Sequence, residues 1–554
     1  MKNLTQALWL SEFALALLII TGVADATMAY ISLFVLLFGI WKLSNLEALR
    51  LYIYSIPIFV TLPPSVFSEA MSVWRFALLF FVFKIFLERF EILATFRNRG
   101  LTFKDKKSEI YSRFGDFIAI AKTSNYYGIL YPTVLFGIIG ILSLFSAQSL
   151  GAGVKKMVFL GSVFLLFSVV SFAVRKKEDV EKVLKSVFAS GVGILAIGYL
   201  QLGATFGMTL YDFWGMWDKY VIQAFYGERT MHLLSYSNTW FSYYDASGEI
   251  PPTLRMFSVM PDSHSFSMLM IIFIPFALFY AFAAKKKSVK AKYLAVLALM
   301  FLAIYFSGSR GAWVGWLGAL AVALYFYLLE KMPRGIKIVN AGDYAKLKNV
   351  YKKALGAMLI FIVIIPVASL VLNLNQDSQL IREGRMLSAE QKKNALLHRT
   401  WSISDMEETS NKGRMEIWGD SANSVIRHPL LGIGIGNFPF ALEEKIGTSK
   451  MGASAHNIYL DIAVEMGLAG ALIFLWMSWK IAEKLFLLSR KFKEERFRLL
   501  AFSILLSFVW ICAYGLFDVV ILNDKVLMFI VIILAVLYKL EDLEERESVG
   551  KTAL

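Results

Sequence analysis

Cysteine is almost absent: Cys512 is the single one in 554 residues. That excludes an intrachain disulfide and a zinc cluster built on cysteine. Histidine is scarce as well. His232, His264, His398, His428 and His456 show no pair one helical turn apart, the spacing by which two histidines hold a metal. A metal site would need a tertiary coincidence. Internal repeats and low-complexity tracts are missing. No strand precedes Gly432-Ile433-Gly434-Ile435-Gly436 and no βαβ unit surrounds it, so its likeness to a nucleotide fingerprint is superficial. It reads as a flexible turn after Arg427-His428-Pro429. The first apolar segment has weak basic flanks and no clear small-residue cleavage site, which marks a retained helix rather than a leader.

What the chain has in excess is apolar side chain. Hydrophobic residues make up 57% and the mean hydropathy is +0.59, against roughly 45–50% apolar content in soluble domains. Runs of about 20 apolar residues recur, each long enough to cross a bilayer core. The net charge of +15 does not point to nucleic acid, because its lysines sit in short loops between apolar runs, as cytoplasmic loops do.

These runs predict an all-α, polytopic membrane protein with about 12–14 transmembrane helices and a large, partly helical extracytoplasmic loop. Helices are expected near 7–23, 27–41, 50–63, 73–90, 127–147, 156–174, 184–206, 263–283, 293–307, 311–329, 354–373, 457–479, 499–518 and 525–540. The basic loops Arg97 to Lys107, Arg175-Lys176-Lys177, Lys285 to Lys292, Lys331 to Lys353 and Lys484 to Arg498 fall on one side if both termini are cytoplasmic. The chain then divides into N-terminal helices (1–206), an aromatic-rich outer loop (207–262), central helices (263–373), a large outer loop (374–456), C-terminal helices (457–540) and a cytoplasmic tail (541–554). The large loop is expected to hold helices near 379–397 and 413–427. A loop of that length with its own helices is more often functional than a linker.

Polar motifs gather on the outer face. They are Arg255 with Pro261-Asp262-Ser263-His264, then Ser309-Arg310-Gly311-Ala312-Trp313 in a tight turn, Gly413-Arg414 through Trp418 inside the large loop, and His456-Asn457 at its exit. An arginine in a short outer turn runs against the positive-inside trend, and its planar fork suits phosphate oxygens. Each residue also has a plainer reading. Arg310 would snorkel to lipid phosphates, Arg255 would anchor an interface, Arg414 would pair within the loop, and His456 would cap its helix. The aromatics of 207–262 fit an interfacial belt as well as a sugar-stacking platform. Glu12 and Asp518, in or near apolar segments, read most simply as helix-packing hydrogen-bond partners.

At these motifs, over roughly residues 250–480, the chain resembles the O-antigen ligase and O-antigen polymerase superfamily. Ser309-Arg310-Gly311, the loop segment from Gly413 through Trp418 and on to Phe438, and the exit helix from Ala455-His456-Asn457 to Glu465-Met466-Gly467 carry the resemblance. Arg255 resembles an arginine that precedes a Pro-Asn element, with Asp262 standing where the family pattern has asparagine. The resemblance implies a bacterial inner-membrane glycosyltransferase. Its donor would be a glycan on undecaprenyl diphosphate, presented at the outer leaflet. Its acceptor would be a lipid A-core sugar, another glycan or a protein. His456 would be the general base, and Arg255 and Arg310 the stabilisers of the leaving diphosphate. Arg414, Asn457, Ser309 and Trp313 would bind substrate. No cofactor or metal is implied, inversion at the anomeric carbon follows, and the site would face the periplasm or exterior.

Two other classes stand against this. A transporter or flippase of the same lipid-linked glycan would place charges near the bilayer midplane and use paired broken helices. A membrane scaffold would leave the outer arginines and His456 without a purpose.

Overall fold

The structure, a computed structural model, describes residues 2–62, 71–89, 127–227, 239–243, 250–329, 341–385, 395–403, 405, 409–442 and 454–552. The Arg97 to Lys107 loop, Pro63-Pro64 and His232 lie outside the described residues.

Helices make up nearly all of it. In chain order they are α1 (Lys2–Ile20), α2 (Ala29–Lys42), α3 (Asn45–Ser55), α4 (Val73–Arg89), α5 (Tyr127–Ser143), α6 (Leu150–Ala173), α7 (Lys177–Ala204), α8 (Leu210–Trp217), α9 (Gln223–Tyr226), α10 (Ser263–Ala283), α11 (Lys287–Phe306), α12 (Arg310–Leu328), α13 (Ala341–Val363), α14 (Ile365–Arg382), α15 (Ala395–Trp401), α16 (Thr409–Arg427), α17 (Ile458–Lys491), α18 (Glu495–Tyr514) and α19 (Asp524–Thr552). Two minimal antiparallel ladders complete the described elements, β1 (Thr61–Leu62) with β2 (Met71–Ser72), and β3 (Phe241–Ser242) with β4 (Thr253–Leu254).

The all-α polytopic expectation holds. Among the described residues, ten helical stretches are long and apolar enough to cross a membrane. Four of the expected crossings are not among them: 27–41, 50–63, 73–90 and 525–540. The first two correspond to α2 and α3, which at 14 and 11 residues are about 21 and 17 Å long, short of a core of about 30 Å. α3 lies inside the bundle, with Leu49, Leu51, Tyr52 and Ile53 fully covered. Its apolar run reflects burial rather than a crossing.

α10 forms the centre and is apolar all round, as a helix packed on every side must be. It packs against α11 and α18, with Phe273 edge-on to Phe529 of α19 at 4.9 Å. Trp510 of α18 donates its indole N–H to Ala312 O of α12 at 2.6 Å, so α12 and α18 are fixed together. Glu12 accepts from Ser32 at 2.5 Å across α1 and α2, the helix-packing role its sequence suggests.

One end of the bundle is a belt of ion pairs. Lys177 meets Glu494 and Glu544, Arg496 meets Glu181, Lys353 meets Glu495, and Lys491 meets Glu541. The described basic segments around 175–177, 353 and 484–498 therefore share one end. The segment after 540 is no loose tail: α19 continues to Thr552, with Glu541 and Glu544 buried in the belt. α18 starts in the belt at Glu495 and ends at Tyr514, about 30 Å away by helical rise. The polar motifs cluster at that far end.

The described parts of the 207–262 segment pack much of their aromatic content inward. Phe213, Phe225 and Trp240 are buried, and Trp240 stacks on Phe257 with 5.4 Å between ring centres. Only part of its aromatic content, such as Tyr211 and Tyr243, faces outward. α14 carries the chain past residue 374 as helix, and its Gln376 and Gln379 bind Pro251 O and Thr205 O. The large loop is thereby tied to the first. The expected helix at 413–427 falls within α16. The middle of the one expected at 379–397 lies outside the described residues.

Candidate active site

Arg255 is placed by backbone pairing. The β3–β4 ladder leads into it, its N–H donates to Trp240 O at 2.8 Å, and the next amide, Met256, donates to Phe306 O at 2.8 Å. The segment is thus laid against the turn between α11 and α12. Gly308 in that turn has φ +61, and a Cβ there would stand 2.9 Å from Ser242 Oγ and 3.2 Å from Arg255 Cγ. Glycine is what lets the arginine stem cross the turn. Arg255 is 5% exposed. Its Nε donates to Ser307 O at 3.1 Å, and its outer nitrogen lies 3.1 Å from His264 Nε2.

His264 sits at the start of α10. Asp262 caps that helix, accepting from Ser265 N at 2.6 Å and from the Ser265 hydroxyl at 2.8 Å. Aspartate caps as well as asparagine does, which accounts for Asp262 where the family pattern has asparagine. On its other side His264 Nδ1 lies 3.0 Å from Asp518 Oδ2, 2.9 Å from Tyr514 OH and 3.1 Å from Ser309 Oγ. Ser309 Oγ and Tyr514 OH are 2.5 Å apart.

Arg310 opens α12 and is 8% exposed. Its guanidinium donates to Ser402 O and Ser402 Oγ, both at 2.9 Å. Ser402 follows α15, so the large loop is docked on the Ser-Arg-Gly turn. Trp313 lies deeper, 8% exposed, its indole N–H on Ile304 O at 3.2 Å and its ring against Tyr305. The structure brings Arg255, Arg310 and Ser309 together but sets Trp313 among packed aromatics.

His456 stands at the loop exit with φ +48, a left-handed conformation uncommon outside glycine and costly to hold. Its neighbours hold it there. Asn457, not His456, caps α17, accepting from Tyr459 N at 3.0 Å and Leu460 N at 3.2 Å. Ile458 N donates to Gly515 O, and Ala455 N donates to Asp461 Oδ1. Trp418 of α16 donates to Ala455 O. His456 Nδ1 is buried and has no hydrogen-bond partner among the described residues. Burial pulls this imidazole below its ordinary value of 6.5; Asp518 opposes that, while Arg414 and His264 add to it. Arg414 thus acts on His456 through its field, from one turn before Trp418 on α16.

Two more charges are shifted. Burial lowers Arg255 to about 10; Tyr514 works against this, Arg310 with it, and Asp262 and Asp518 against it. Burial opposes ionisation of Asp518. The His264 ring and its hydrogen bond, together with His456 and the Val519 amide, outweigh burial and hold the carboxyl below its usual range.

Two buried arginines, an imidazole whose Nδ1 has no hydrogen-bond partner among the described residues and a docked loop stand at one end of the bundle. Residues 295–475 match the O-antigen ligase family model. No curated protein matches the chain. The match supports a ligase- or polymerase-type enzyme and covers less than half of the chain. It spans Arg310, Arg414 and His456, and it leaves out Arg255, His264, Tyr514 and Asp518. The last three had been given no site role on sequence grounds. His264 appeared only as the end of a Pro-Asp-Ser-His string, and Asp518 as a packing residue.

The glycine run 432–436 also differs from its sequence reading. It is docked on α17 rather than flexible. Ile433 N donates to Val464 O and Gly434 N to Glu465 O, while Leu468 N donates to Pro429 O. α17 breaks at Gly467 (φ +69, ψ −176) to receive it. In the segment that matches the O-antigen ligase family this contact fixes the angle at which the first turns of α17 carry Asn457 and, before it, His456.

Proposed function

We propose that this protein transfers a glycan from a polyprenyl (undecaprenyl) diphosphate to an acceptor hydroxyl at the outer face of the cytoplasmic membrane, most closely as an O-antigen ligase does. The observation that carries the reading is His456: a strained, buried imidazole whose Nδ1 has no hydrogen-bond partner among the described residues, within the field of Asp518 and Arg414. In the reaction the acceptor oxygen attacks the anomeric carbon and the carbon–oxygen bond to the diphosphate breaks, its electrons leaving with the diphosphate. The acceptor proton goes to His456, a group suited to accept it near neutral pH. Attack opposite the leaving group inverts the anomeric centre. Arg255 and Arg310 face the charge that grows on the leaving oxygen, where fixed donors count most. The docked loop, held by Ser402 on Arg310, covers the site and selects the acceptor.

A repeat-unit polymerase or a protein O-oligosaccharyltransferase would use the same residues with another acceptor. A transporter is less well supported. α17 is a broken helix, but the carbonyls freed at its break, Val464 O and Glu465 O, are taken by Ile433 N and Gly434 N. Around the break, half-buried Lys156 and buried Asp461 and Glu465 lie in the first turns of α6 and α17, near the site end. The buried mid-helix charges Glu12 and Lys84 are bound to Ser32 and to Ile40 O and Leu43 O.

The test is transfer by purified protein from an undecaprenyl-diphosphate glycan, with lipid A-core, glycan and peptide acceptors and a chelator present. Release of undecaprenyl diphosphate that is lost in His456→Ala supports the reading, and the labelled acceptor names the subclass. Movement of the lipid-linked glycan across proteoliposomes without any release refutes it.

A further inference from the structure

Arg255 and His264 set a constraint on each other through elementary donor chemistry. A guanidinium has only donors. The ring nitrogen that faces it at 3.1 Å, His264 Nε2, therefore presents a lone pair, and the ring proton is on Nδ1. Nδ1 in turn faces Asp518 Oδ2 at 3.0 Å, and an ionised carboxylate has only acceptors. The chain Arg255 → His264 → Asp518 thus has one consistent direction, each link donating to the next. Asp518 is itself fixed, since its Oδ1 accepts from Val519 N at 2.8 Å. The ring is further confined by Tyr514 OH and Ser309 Oγ beside Nδ1.

We infer that His264 is a positioning residue: Asp518 fixes it as the Nδ1–H tautomer, and its Nε2 lone pair aims the Arg255 guanidinium at the leaving diphosphate. This deepens the proposed transfer reaction and rests on it for the diphosphate. The tautomer and the grip on Arg255 stand on the geometry alone. Without His264, Arg255 keeps its Nε bond to Ser307 O but loses the Nε2 acceptor that faces its fork. A ligating imidazole whose tautomer is set by a carboxylate works by the same logic.

The experiment has two arms, both on the full chain in lipid nanodiscs. The first is ¹⁵N NMR of protein labelled at histidine, of which there are five, with the His264 signals assigned by their loss in His264→Gln. The expected result is a proton on Nδ1 and a bare Nε2, with a shift toward the Nε2–H form in Asp518→Ala. A proton on Nε2 in the unsubstituted protein, or no change in Asp518→Ala, overturns the inference.

The second arm is transfer kinetics. His264→Ala should lower kcat about 100-fold, the scale of losing one oriented donor, with little change in KM for the donor lipid. His264→Gln, whose Oε1 replaces the Nε2 acceptor, should recover about tenfold of that loss if the loss is one of aim. In an Arg255→Ala background His264→Ala should add nothing further. Equal loss in the Gln and Ala variants, or an undiminished further loss in the Arg255→Ala background, would show a structural role only and overturn the inference. If the unsubstituted protein transfers to no acceptor, the functional reading is what has failed, and the NMR arm still decides the tautomer.

Discussion

Trp418 donates its indole N–H to Ala455 O at 2.9 Å, so a helix of the large loop grips the residue next to His456. The loop is part of what keeps the imidazole in its left-handed conformation. Trp418→Phe keeps the ring and removes the bond. A single hydrogen bond contributes about 0.5–1.5 kcal/mol, so kcat should fall by roughly 2- to 10-fold with the melting temperature little changed. Transfer assays beside a thermal melt would check this, and an unchanged kcat would disconnect the loop from the imidazole.

The pH profile should carry the mark of Arg414. A base works when unprotonated, and burial together with Arg414 lowers the His456 pKa while Asp518 raises it. The acid limb of the rate should therefore lie below pH 6.5. Arg414→Gln removes a charge that disfavours the imidazolium, so the limb should move to higher pH. Rate–pH curves for the two proteins, at saturating donor, test the sign; a shift to lower pH would contradict it.

Gly467 is a stability prediction. Its φ of +69 with ψ of −176 is open to glycine, and a Cβ there would lie 2.2 Å from Leu430 O. Backbone strain of this kind costs about 1–3 kcal/mol before the clash is counted. Gly467→Ala should lower the melting temperature by several degrees at least and reduce the yield of monodisperse protein. An unchanged melt would mean that the kink is not required.

Lys156 bridges α6 to α17, with its amine 2.5 Å from Glu465 and 3.8 Å from Asp461. Lys156 is half-buried, so its removal costs less than the loss of one partner from a fully buried pair, about 3–5 kcal/mol, but it leaves the buried Glu465 carboxylate behind. Lys156→Met should be destabilised, and Lys156→Met combined with Glu465→Gln less so. The comparison of the two melting temperatures decides it.

Much of the fold could be read from the chain. α10 begins and ends where the apolar run 263–283 does, because Asp262 supplies a cap at one end and lysines follow the other. The outer motifs were also legible, since an arginine in a short turn between apolar runs is anomalous on its own. The break in α17 was not: the apolar pattern continues across Gly467, and the strain there answers to Leu430 and Leu431, which arrive from the loop. Asp518 was read as a packing residue because a carboxylate near a helix end has no visible partner in one dimension. Its partner His264, and Tyr514 beside it, come from different helices, and His264 and Tyr514 meet although they are 250 positions apart. The surroundings of Trp313 were not legible either, because Tyr305 and Ile304 O, which its ring and indole N–H meet, come from the preceding helix.

The site is assembled from two sources. His456, Arg310 and Arg414 lie within residues 295–475, the stretch that matches the ligase family. Arg255, His264, Tyr514 and Asp518 come from outside it. A graft of residues 295–475 onto another membrane scaffold would carry His456, Arg310 and Arg414 but leave Arg255 and its His264 and Asp518 partners behind. On the proposed reading the two halves are also free to diverge at different rates, the loop side following a changing acceptor while the other side stays matched to an unchanging lipid carrier.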